Sequence, residues 1–93
     1  MKFMTTWSLI PGSVKDAAEQ FLTLGGGGEP EGVTLLSRWH NVDCTGGFTL
    51  YEASDASALH RGAAGWADLV ELSTVPEIDD AEAGPNLAFV FKK

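Results

Sequence analysis

From Met1 to Ile10 apolar residues fall on both sides of an alternating pattern, and at Pro11-Gly12 that pattern gives way to helical spacing. Val14, Ala17, Ala18, Phe21 and Leu22 recur at intervals of three and four, with Ser13 as the expected N-cap, Asp16 in the first turn and Gly25 where a left-handed C-cap falls. Val33 to His40 and Gly47 to Ala53 are strands, joined by a turn over Asn41 to Gly46. Ser54 or Asp55 caps a second helix, whose stripe is Ala56, Leu59, Ala63 and Trp66. Asp68 to Ile78 reads as a fourth strand, with Pro76 marking an edge or a bulge. Asp79 to Gly84 is an acidic turn, and Leu87 to Phe91 a short final strand or arm.

The resulting order, β-α-β-β-α-β, predicts an α+β fold of the ferredoxin-like kind: a four-stranded antiparallel sheet with two helices on one face. The other face is then bare. Strands one, two and four carry large apolar groups on both sides, which would leave a patch larger than a monomer usually exposes. A homodimer packed sheet on sheet, a dimeric α+β barrel, covers it, and residues 79–93 form a possible arm that shields Phe89 and Phe91 on the partner.

The 93 residues suit one domain, 1–93, with one small core. Six basic and 13 acidic residues give a formal charge of −7, which disfavours nucleic acid and anionic membrane surfaces as partners. With no apolar run long enough for a membrane span, no signal-peptide pattern and a single cysteine, Cys44, a cytoplasmic protein is expected. The run Gly25 to Gly28 lacks the following Gly-Lys-Ser/Thr of a phosphate loop and is expected to be a flexible connection.

Chemically able residues gather in Ser37-Arg38-Trp39-His40-Asn41-Val42-Asp43-Cys44. Simple alternation places Leu36, Arg38 and His40 on one face of the second strand, with Leu35, Ser37 and Trp39 on the other. A charge on an apolar strand needs solvent, a counter-charge or a ligand. The functional reading is a pocket between sheet and helices. There Arg38 holds an anionic or carbonyl group, His40 exchanges a proton as the candidate catalytic residue, and Trp7, Trp39, Tyr51, Glu52 and Trp66 complete the ligand site. The plainer reading pairs Arg38 with Glu52 or with a carboxylate of the partner chain, has His40 hydrogen-bond in the turn, and makes the tryptophans core. Which of Tyr51 and Glu52 shares the Arg38 face depends on register. His40, Asp43 and Cys44, with His60 on a separate helix, match no standard zinc spacing, and no dinucleotide fingerprint or hydrolase triad is visible, so neither metal nor cofactor is expected.

The start Met1-Lys2-Phe3-Met4 running into Trp7, the triplet Arg38-Trp39-His40 followed by glycine, Phe48 and Glu52, and Trp66-Ala67-Asp68-Leu69 leading to Pro76 resemble the DUF3303 family of small bacterial proteins across nearly the whole chain. The resemblance implies a dimeric α/β barrel, a fold shared by cofactor-free monooxygenases, haem-degrading enzymes, isomerases and ligand-sensing modules, and no single reaction. The leading expectation is a homodimer that binds a small ligand. The alternatives are a cofactor-independent monooxygenase or isomerase using His40 as acid or base, and a dimeric protein-interaction module.

Overall fold

A computed structural model describes residues 1–92. The order is β1 (Lys2–Leu9), α1 (Val14–Leu24), β2 (Val33–His40), β3 (Gly46–Ala53), α2 (Ala56–Ala64), β4 (Val70–Glu77) and α3 (Asp80–Phe91). The protein is α+β, with an antiparallel four-stranded sheet in the order β2-β3-β1-β4.

Register divides the sheet residues into two sets. Thr5, Trp7, Thr49, Tyr51 and Leu72 share a face with residues of both α1 and α2 around them, so the two helices lie on the same side. On the other side run two cross-strand rows: Trp39, Phe48, Thr6, Ser73 and Ser37, Leu50, Met4, Val75. The buried core is small and sits on the helix side, in Phe3, Ala17, Ala53, Ala58 and Val70. Thr49, at the centre of that side, is only 2% exposed.

Helix ends follow local chemistry. Gly25 adopts φ +69° and caps α1, and the N–H groups of Gly25 and Gly26 reach the carbonyls of Leu22 and Phe21. Asp55 caps α2 by accepting from Ala58 N–H at 2.8 Å. Ser13 departs from its expected role: its hydroxyl makes no cap bond and lies 2.6 Å from the Ile10 carbonyl and 2.7 Å from that of Leu69, joining the end of β1 to the start of β4. Between the strands, Gly46 and Gly47 have no room for a side chain, because a Cβ would run into the carbonyls of Trp7 and Trp39 respectively.

Several expectations are corrected. There are three helices and not two: the acidic segment and the final strand or arm expected over 79–91 form α3 instead. Asp79 is its N-cap, accepting from Glu82 N–H at 3.1 Å, and Asp80 and Glu82 suit the positive end of its dipole. Helical capping at Asp79 thus prevails over the strand preference of Phe89, Val90 and Phe91, despite Pro85 within the helix. Lys93, the last residue of the expected arm, lies outside the described residues. Trp66 is not on α2, which ends at Ala64, but in the turn beyond it. On β2, a bulge between Leu35 and Ser37 changes the alternation: Leu35 pairs with Tyr51 and Arg38 with Thr49, so Leu35 and not Leu36 lies on the Arg38 side.

No residue of α3 is buried, and Phe89 is 89% exposed. The radius of gyration is 15.7 Å, with extents of 54 × 29 × 18 Å. A compact chain of this length would have a radius of about 12 Å, and α3 makes no extensive contact with any strand or helix. Replacing the α2 cap, Asp55→Ala, is expected to destabilise the protein by about 1 kcal/mol in urea denaturation; no loss would mean that the cap bond does not hold the helix start.

Candidate functional site

The apolar stripe of α1 does not close down on the sheet. A cavity of about 330 Å³ separates Val14, Ala17, Ala18, Phe21 and Leu22 from the strand residues beneath. Its lining is overwhelmingly apolar, and the polar groups that interrupt it are few: the hydroxyls of Thr5, Thr49 and Tyr51, and a cluster at one end. Its size falls near the lower end of the range that small-molecule pockets span.

The polar end is built by β2 and by the segment after α1. Arg38, on the helix side of β2, pairs with Glu29. The pair is shielded, with side-chain exposures of 12% and 22%. The guanidinium also sits 5.5 Å from the centre of the Phe21 ring. Around it, the glycine run is packed and not merely a flexible connection. A Cβ at Gly27 would meet the Arg38 guanidinium, and the Gly27 carbonyl accepts from the Trp66 indole N–H at 2.8 Å. Glycine therefore lets the chain pass close over Arg38.

His40 lies at the exposed mouth, its ring edge-on to Trp7 at 5.3 Å and to Phe21 at 5.4 Å. Among the described residues its nitrogens have no protein hydrogen-bond partner. The adjoining turn holds Cys44 in the left-handed region at φ +64°, with its amide bonded to the Asn41 carbonyl at 3.1 Å. The Thr45 hydroxyl and amide both donate to Asp43, which holds that carboxyl below its usual pKa. Asn41 and Cys44 reach the cavity rim. Among the described residues no three of His, Cys, Asp and Glu gather as a metal site, and no helix is long and apolar enough to cross a membrane.

Of the residues singled out in the sequence, the cavity unites Trp7, Arg38, His40, Tyr51 and Trp66. Trp39 and Glu52 lie on the opposite face of the sheet. Trp39 is 60% exposed there, and Glu52 binds the N-terminal ammonium at 2.5 Å, an attachment that lowers its pKa. Arg38 pairs with Glu29 and not with Glu52. The sequence reading missed Glu29, Gly27, Thr5, Thr49 and Leu72. For Thr5 and Thr49 the signal was available in their alternation with Trp7 and Tyr51, whereas Leu72 faces the cavity through the register of β4 on β1, and only the folded path of the glycine segment brings Glu29 to Arg38.

A comparison with curated proteins returns no match. The family comparison matches the domain of unknown function DUF3303 over residues 1–90, nearly the full length. The chain belongs to the DUF3303 family.

Proposed function

We propose that the protein binds a small apolar molecule carrying an anionic or carbonyl group in the cavity between sheet and helices, and that it does so as a homodimer of ferredoxin-like subunits forming an α+β barrel. The observation that carries the binding reading is the cavity itself: about 330 Å³ of apolar-lined space with an arginine and a histidine at one end. A domain with so few buried residues gains stability from every apolar contact, so a helix stripe held away from its sheet favours an occupant in the gap. Arg38 supplies N–H donors to an oxygen, and Trp7 and Trp66 supply flat walls.

The dimer reading rests on the other face. Trp39, Phe48 and Val75 are exposed there, beside Met4 and Leu50, and no helix covers them. Sheet-on-sheet packing about a two-fold axis would bury both copies of the patch, and α3, with Phe89, Val90 and Phe91 in solvent, offers further apolar surface to a second copy. The strand order, β4-β1-β3-β2 from the other edge, supports the ferredoxin-like subunit. A second reading, a cofactor-independent monooxygenase or isomerase, draws on His40 at the cavity mouth, which would exchange a proton with an occupant.

Ala18→Phe fills the cavity from α1 at an exposed position. It is expected to weaken binding of the aryl ketone 2-acetylnaphthalene at least ~10-fold by calorimetry, while changing stability by less than about 0.5 kcal/mol. Unchanged affinity would place the ligand elsewhere. Phe48→Glu is expected to give a folded monomer in sedimentation where the native chain sediments as a dimer; a monomeric native chain would refute the barrel.

A further inference from the structure

Arg38 makes the cavity inviting to an anion, yet its charge is already met. Glu29 holds the guanidinium in a shielded pair, and the segment that carries Glu29 is fixed on both sides. Before it, Gly27 is tied to the Trp66 indole and packs against Arg38; after it, Pro30 lies against α2 at Gly62, where a Cβ would come within 3.1 Å of the proline ring. Arg38 is the only lysine or arginine among the described residues that line the cavity, and the whole chain carries −7.

We propose that Glu29 is a specificity-determining residue, which makes this cavity take neutral, carbonyl-bearing apolar molecules and turn away carboxylates. The inference rests on the binding reading above and narrows its ligand class. A guanidinium carries five N–H donors, so a pair with one carboxylate leaves others free for an uncharged oxygen. A ligand carboxylate on those same donors would set a second negative charge against one cation in a poorly solvated space, beside a carboxylate that its own chain fixes in place. A ketone, ester or amide oxygen meets no such repulsion.

The test uses two probes of nearly the same shape, 2-acetylnaphthalene and 2-naphthoate, which exchange a methyl group for a carboxylate oxygen. Affinities are measured by calorimetry at pH 8. The native protein is expected to bind the ketone at least ~10-fold more tightly than the acid. In Glu29→Gln, which keeps the shape and frees the Arg38 charge, the acid is expected to gain at least ~10-fold while the ketone changes less than about threefold. A native preference for the acid overturns the proposal without needing the variant to fold, and so does an unchanged ratio in a folded Glu29→Gln. Those two results leave the cavity reading standing. Failure of both probes to bind the native protein overturns both readings together.

Discussion

A charged side chain on the inner face of a small sheet must be satisfied within the fold, and the pairing of Arg38 with Glu29 is the contact around which the helix side is arranged. A partly buried pair of this kind contributes little net stability, but losing one partner leaves an uncompensated charge, at a cost below the roughly 3–5 kcal/mol of a fully buried case. The pair therefore constrains geometry more than it adds energy. It requires the chain after α1 to pass close over β2, which glycine at 27 permits, and the Trp66 indole then fixes that passage from the α2 side. Phe21 is drawn over the guanidinium, and the rest of the α1 stripe spans the gap instead of filling it. The cavity is a consequence of that span.

The opposite face follows a different logic. Its rows of Trp39 with Phe48 and Leu50 with Met4 and Val75 carry no charge that calls for an internal partner, and Trp39, Phe48 and Val75 stand exposed. Apolar side chains on both sides of one thin sheet are the ground on which the proposed dimer rests. In the proposed dimer the two faces have separate tasks, one making the assembly and the other holding the ligand. Glu52, on the assembly side, is tied to the chain's own N-terminus, which keeps its charge satisfied at the margin of that surface.

The strands and the first two helices were legible because each rests on local chemistry: alternation around Trp7 and Tyr51, the period of Phe21 and Ala17, and glycine in the left-handed region at position 25. The α3 helix was not, because Phe89, Val90 and Phe91 carry strand preference and the deciding signal was an aspartate cap ten residues earlier, at Asp79. Arg38 and His40 could be placed on one face from spacing alone, but a bulge of one residue exchanged Leu35 and Leu36 between faces, and no periodicity announces a bulge. The counter-charge of Arg38 was the least legible feature. Glu29 is brought to it by a loop path, and loop paths are set by tertiary packing rather than by pattern.

The three tryptophans divide between the two faces, Trp7 and Trp66 at the cavity and Trp39 on the far side of the sheet. Their indole N–H signals in a 15N-correlated NMR spectrum, followed while 2-acetylnaphthalene is added, therefore locate binding directly. The account predicts that the Trp7 and Trp66 signals move together and saturate while that of Trp39 stays in place. Movement of Trp39 alone, or of none of the three, would contradict it.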